Sequence, residues 1–495
     1  MKISSQLEET IQMLEERLRD CGDVVRRRLM IADVQVYVAY MDTMIDRELI
    51  EGEFLRDLMY GVKELPEKGR AEYLQDYAVT TADSKLMNNL EDALVEILSG
   101  NTALFVDGSE NALIISSKKY PMRGVQTAES EVAVRGPKDS FTESMRFNTV
   151  LIRRRIRDTQ LKTLQSWIGE RTKTDVALMY MEGIAKPEFV EDIKKRLGEF
   201  KIDGILDCGN VEQLTEKAWY SPFPQFQTTE RPDKAASALL EGRIALIVDN
   251  SPFVLLLPTT LNCFFQAADD YYNRWGIVCF TRILRYTAAL IAMILPGFYI
   301  GIACFHPEML PTSLELSFAS ARKGVPFPVA IEVLLLELAF ELLREAGIRL
   351  PGPMGSALGI VGGLIIGQAA VDANIVSPIV VIVVALTALA SFTIPNEGFA
   401  SAFRLVKFYL ILLASFLGVY GVVLGMLTVL IHLAALESFG IPYLMPFVAV
   451  KVEESMDYQD GIIRKPLFKL KKRPVFSKKD QRVRYRSEVK KDVFK

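Results

Sequence analysis

The sequence predicts a multi-domain protein: a soluble α/β N-terminal half of two repeated subdomains, then a transmembrane helical domain of four to six segments and a basic C-terminal tail. Three observations carry this reading. Charges are frequent and apolar runs short up to about Arg285, whereas apolar runs dominate from Tyr286 to about Leu436. A stretch at 103–109, followed by Leu113-Ile-Ile, reappears 142 residues later at 245–251, followed by Leu255-Leu-Leu. The final 32 residues hold 14 Lys/Arg against three acids. The mean hydropathy of +0.19 therefore averages a soluble half with a membrane half.

The N-terminus, MKISSQLEETIQ, lacks the apolar core of a signal peptide, so the first half is expected to stay on the side where it is made. In each repeat the order reads strand, helical material, then a strand hairpin. The strands fall at 34–40 and 176–180. The hairpins turn at Asp107-Gly-Ser and Asp249-Asn-Ser, where Gly and Asn tolerate the positive φ of a tight turn. Tyr40-Met-Asp matches Tyr180-Met-Glu at an offset of 140, which implies two extra residues before the hairpin. Amphipathic helices are expected at 187–197 and 234–240. Between the repeats, Gly136-Pro-Lys-Asp-Ser leads into a helix carrying Arg153-Arg-Arg-Ile-Arg157, read as a solvated or subunit-contacting basic face. The resulting division is 1–130 for the first subdomain, 131–169 for a linker helix region and 170–280 for the second subdomain. A transmembrane domain at 281–446 and a basic cytosolic tail at 447–495 follow.

Several function classes are excluded. Five cysteines show no CxxC, and two histidines cannot build a His-rich metal site. There is no GxxxxGK[ST] and no GxGxxG to cradle phosphates. Ser140, Ser251 and Ser377 have no histidine to act as base in the soluble region. An enzyme is not expected, and neither is a metal or cofactor. The tail abuts a membrane region, so its charge points to anionic headgroups rather than nucleic acid.

In the second half, 286–305 is an uncharged span of about 20 residues, with Pro296-Gly297 predicting a kink. The run 329–345 follows. Its Glu337, Glu341, Arg344 and Glu345 share an arc of roughly 100° on a helical wheel, so it lies at the interface or faces a wet interior. Next, Gly355, Gly359, Gly363 and Gly367 recur at a spacing of four, with Gln368 and Asp372 beyond them. Small residues let helix backbones approach closely in lipid, so this face packs within a bundle, meets copies of itself, or lines a water path. We take the four glycines as candidates for pore or subunit packing, and Glu337, Glu341, Gln368 and Asp372 as candidates for ion contact. A span at 377–394 precedes a last apolar stretch at 405–436. That stretch is roughly 48 Å long as a helix, so it is either a tilted helix or a hairpin broken near 418–425.

Six runs carry a family resemblance: RGPKDSFTESMRFNTVLIRRRI (135–156), ERPDKAASALLEGRIALIVDNSPFVLLLP (230–258), DDYYNRW (269–275), FHPEMLPTSLE (305–315), RKGVPFPVAIEVLLLELAFELLREAGIRLP (322–351) and IGQAAVDANIVSP (366–378). With them the chain resembles the A subunits of GerA-type spore germinant receptors, from about residue 20 to Pro446. The resemblance implies a spore inner membrane protein with no catalytic motif. It also implies a permease-like B subunit that binds the nutrient and a lipoprotein C subunit as partners. The A subunit itself would form a homo-oligomeric ring and release cations to trigger germination. The alternatives are a SpoVAF-like accessory channel and a non-conducting scaffold. A cytosolic start and a basic tail on the same side require an even number of crossings.

Overall fold

The computed structural model describes residues 1–78, 83–119, 128, 131–349, 354–448 and 460–484; for 51, 53, 77, 78, 348, 354–361 and 364 it describes the backbone alone. The chain forms two compact units. One comprises 1–217, 226–258 and the segment from 467 on; the other comprises 218–225 and 259–466.

The first unit contains two five-stranded antiparallel sheets of the same topology. Its elements begin with α1 (Leu7–Arg17), β1 (Val24–Ile31), β2 (Val34–Met41), α2 (Leu55–Gly61), α3 (Arg70–Ala78) and β3 (Ser84–Met87). Then come α4 (Leu90–Leu98), β4 (Thr102–Val106) and β5 (Ala112–Ile115). The sheet order is β1-β2-β4-β5-β3. The second repeat runs α5 (Met145–Arg153), β6 (Leu161–Ile168), β7 (Thr174–Met181), α6 (Pro187–Glu199) and α7 (Cys208–Thr215). It ends with β8 (Gln227–Thr229), α8 (Pro232–Leu240), β9 (Ile244–Val248) and β10 (Val254–Leu257), in the order β6-β7-β9-β10-β8. Register repeats as well. Val36 pairs Val106 in the first sheet, and Val176 pairs Val248 in the second, which reproduces the offsets of 140 and 142.

Local chemistry explains the match. Gly108 and Asn250 occupy the same turn position at φ +80° and +66°. Gly100 and Gly242 follow the last turns of α4 and α8 at φ +92° and +93°, the left-handed backbone that ends many helices and that glycine adopts without strain. In the first sheet, Tyr37, Ala39, Ala103, Phe105 and Ile114 pack under α1 and α4. The alternate residues Val36, Val38, Leu104, Val106 and Leu113 pack against α2 and α3. Both faces are covered, so the central strands are apolar at nearly every position.

Two expectations need correction here. The edge strand β6 belongs to the second sheet, although the linker range 131–169 takes it in. Arg153 does not lie on a solvated face: it is fully buried. Its Nε and Nη2 donate to the Asp23 carboxylate at 2.9 and 3.0 Å, and it also donates to Thr163 Oγ1 and to the carbonyls of Asp158 and Leu161. A guanidinium has five donors in a rigid fork, and here they join the first repeat to the second.

In the other unit, α9 (Leu261–Phe265) precedes the long helix α10 (Trp275–Phe305). Next come α11 (Thr312–Ala321), α12 (Val329–Ile348), α13 (Met354–Asp372) and α14 (Pro378–Ser391). The last two helices are α15 (Glu397–Leu417) and α16 (Val419–Ala435). Gly418, at φ 61°, separates them. Tyr409 Oη and Thr428 Oγ1 lie 3.0 Å apart, so α15 and α16 fold back on each other as a hairpin. Among the described residues, α10 and α15 are long and apolar enough to cross a membrane, while α14 and α16 are shorter apolar helices. The span expected at 377–394 is thus a helix of 14 residues.

Glycines set the spacing of this unit. A Cβ on Gly297 would stand 3.2 Å from Leu410 O, and one on Gly301 would stand 2.7 Å from Val419 N. Helix α10 therefore presses backbone to backbone against the hairpin. An aromatic cluster of Phe223, Phe264, Phe265, Phe399, Phe403 and Tyr443 fills one end, with Phe264 stacked on Phe399 at 4.9 Å.

Candidate functional site

Helix α12 carries five ionisable groups beyond its first residue pair, and the structure sorts them by partner. Glu332 is buried; its carboxylate accepts from Ser377 N at 2.8 Å and pairs with Arg322 at 3.3 Å. One turn and a half further on, Glu337 and Glu341 stand at i and i+4 on one face. Across from them, α15 presents Arg404 and Lys407 at i and i+3. Lys407 Nζ lies 2.6 Å from Glu337 Oε2 and 3.2 Å from Glu341 Oε1. Arg404 reaches Glu341 at 3.7 Å and Glu397 at 3.3 Å.

The centre of this cluster is dry. Glu337 is 2% exposed and Lys407 6%. Removing two charges from water costs several kcal/mol per ion, and attraction offsets this only where the remaining lone pairs and protons are also satisfied. They are not all satisfied here, because Glu337 Oε1 is buried without a hydrogen-bond partner among the described residues. Further along the helix, Arg344 donates to Ser391 Oγ at 3.3 Å and lies over the Phe392 ring, while Glu345 forms an exposed pair with Arg349.

The remaining candidates lie elsewhere. Gln368 and Asp372 are exposed and bond each other at 3.0 Å. The structure does not bring them to Glu337 and Glu341. Gly363 and Gly367 are buried, and a Cβ on either would meet Phe340 of α12 at 2.9 Å or Val381 of α14 at 3.1 Å. Their close approach is to helices of the same chain. The side-chain positions of Gly355 and Gly359 lie outside the described residues. Lys407 and Arg404 were not read from sequence, although two cations at i and i+3 inside an apolar run carried a signal: long cationic side chains there need acidic partners.

The arrangement defines a class: a tandem α/β protein joined to apolar helices that enclose a carboxylate–ammonium cluster. A profile of the Bacillus/Clostridium GerA spore germination protein family matches residues 12–476. The chain belongs to this family. It is 40% identical over 467 residues to spore germination protein A1 of Bacillus subtilis, covering 93% of this chain and 94% of that protein. To spore germination protein KA of the same organism it is 39% identical over 485 residues, 97% of this chain and 88% of the other. A crystal structure of the N-terminal domain of the A subunit of the Bacillus megaterium spore germinant receptor GerK3 also matches. It shares 33% identity with a TM-score of 0.42 and covers 52% of this chain and 96% of that one.

Proposed function

We propose that this chain is the non-enzymatic A subunit of a nutrient germinant receptor, and that it assembles with copies of itself to pass cations across the spore inner membrane. A permease-like B subunit and a lipoprotein C subunit complete the receptor. The helical unit crosses the bilayer an even number of times, four or six, with the α/β unit facing the spore core.

The observation that supports this reading is the Glu337–Glu341–Lys407 cluster. Two carboxylates held among apolar helices offer a cation a place to shed water, and such groups in membrane helices commonly mark ion pathways. With Lys407 seated between them the place is taken. Withdrawal of Lys407 frees two carboxylates, one of which already has an oxygen with no partner among the described residues. The test is potassium release from spores carrying Glu337→Gln, with the protein level in the membrane measured alongside. Release slowed at normal protein level is the expected result; unchanged release argues against the pathway.

The same pairing favours a second reading. If Lys407 never leaves, the cluster only staples α12 to α15, and the subunit is a scaffold that couples the permease-like partner to another channel. A SpoVAF-like accessory channel would share the cluster and differ in its partners.

A further inference from the structure

The two α/β repeats close in different ways. In the first, the chain that leaves β5 returns at once along the sheet end: Ile45 bridges Lys118, and Lys119 N donates to Met44 O at 2.9 Å. In the second, the positions 140 residues on are Ala185 and Ile184. Ala185 bridges Ser477, and Lys478 N donates to Ile184 O at 2.9 Å. The same two contacts recur at the same repeat positions, but the closing residues come from some 220 residues past β10. Between them the chain leaves at Pro258, builds the helical unit and re-enters at Leu467.

The fit of this segment is close. A Cβ on Gly242 would stand 2.8 Å from Ser477 Cα, so the glycine that ends α8 also makes room for the strap. Leu470, Val475, Phe476 and Ser477 are buried. Arg243 lies over the Phe476 ring, Arg473 donates to Leu240 O at 2.8 Å, and Arg484 pairs with Glu241 at 3.7 Å. Lys472 bridges Val483, which folds the segment into a small loop of its own. Just before it, within the helical unit, Asp460 binds Arg282 at 2.7 Å and Arg464 donates to Asp270 O.

We infer that the second α/β repeat is a split domain whose closing piece is the C-terminal segment 470–484, so that the helical unit is an insertion tethered to this repeat at both ends. The docking groove, formed by Ile184, Ala185, Leu240 and Gly242, takes an extended basic segment, and its occupant is the chain's own segment 470–484. The basic residues of this segment serve the α/β unit rather than a lipid surface. The chain joins the helical unit to the second repeat after Pro258 and before Leu467, besides the short segment 218–225, and the stretch before Leu467 is anchored within the helical unit at Asp460 and Arg464. This inference is independent of whether the subunit conducts.

The test uses the full-length chain in nanodiscs with Cys279 and Cys304 replaced by serine. Ala185→Cys with Ser477→Cys is expected to form a disulfide under mild oxidation, detected as a cross-linked peptide. The Ile45→Cys and Lys118→Cys pair serves as the matched control in the first repeat. In the unsubstituted chain, hydrogen exchange should show the Lys478 amide protected by at least about tenfold over an exposed amide. A control pair that cross-links while 185 and 477 do not, or an unprotected Lys478 amide, would overturn the split-domain assignment. Protection of 470–484 that appears only when anionic lipid is added would also overturn it, in favour of a headgroup-bound tail.

Discussion

Lys407 and Arg153 are both buried cations, and they make different predictions. Arg153 has all its bonding capacity engaged, so its loss strands Asp23 at the junction of the two repeats. Arg153→Ala is expected to destabilise the α/β unit by about 3–5 kcal/mol, read as a lowered melting temperature of the purified chain. Lys407→Met leaves the buried Glu337 without its cation and Glu341 with Arg404 alone, at 3.7 Å. It should cost a similar amount, and adding Glu337→Gln should recover part of the loss; a double-mutant cycle would show a coupling of about 1–3 kcal/mol. Glu212 supplies a pH dependence. Burial first, then Glu216 and Asp207, push its carboxyl up to about 7. A group raised in the folded state stabilises fully below its unfolded value, the ordinary 4.5 of a glutamate, and that contribution is lost as pH rises through 7. Glu212→Gln should therefore raise stability at pH 8 by about 2 kcal/mol and leave it nearly unchanged at pH 4. Thermal unfolding at the two pH values checks this.

At the scale of elements, the strands and hairpins that bury apolar residues on both faces were legible. So were the repeat offset, the positive-φ turn at Gly108 and Asn250, and the break near Gly418. Edge strands were not legible. Val24–Ile31 carries Arg26, Arg27 and Arg28 outward, and Leu161–Ile168 mixes Lys, Thr, Gln and Ser, so neither shows the apolar alternation that marks a strand. The charge cluster was half legible. Glu337 and Glu341 stood out against their apolar run, whereas Lys407 lies 70 residues away within a stretch dominated by Leu, Val and Phe. Sequence does not say which distant helix answers a buried carboxylate. Of the glycine ladder, Gly363 and Gly367 meet helices of the same chain, while close backbone-to-backbone helix contacts are made by Gly297 and Gly301, where spacing of four also occurs, and by Gly421. Gly301→Val should thus separate α10 from the hairpin and lower the amount of folded protein in the membrane. Gly363→Leu would drive into the Phe340 ring and shift α12, and with it Glu337 and Glu341. Its expected effect is slowed potassium release at near-normal protein level.

For the whole molecule, two units of different chemistry share one chain. The α/β unit is held by duplicated sheets and a buried arginine; the helical unit is held by glycine contacts, an aromatic cluster and charges paired in a dry interior. The family fixes the setting as spore germination, and the proposed role adds ion passage through an assembly of copies. The central claim is that the helical unit conducts. Recording from the purified full-length protein in a planar bilayer, with the B and C partners and nutrient added, tests it most directly. The account predicts cation-selective steps that appear with nutrient and shrink in Glu337→Gln. Absence of any conductance from a correctly assembled oligomer, with nutrient bound to its partner, would contradict it.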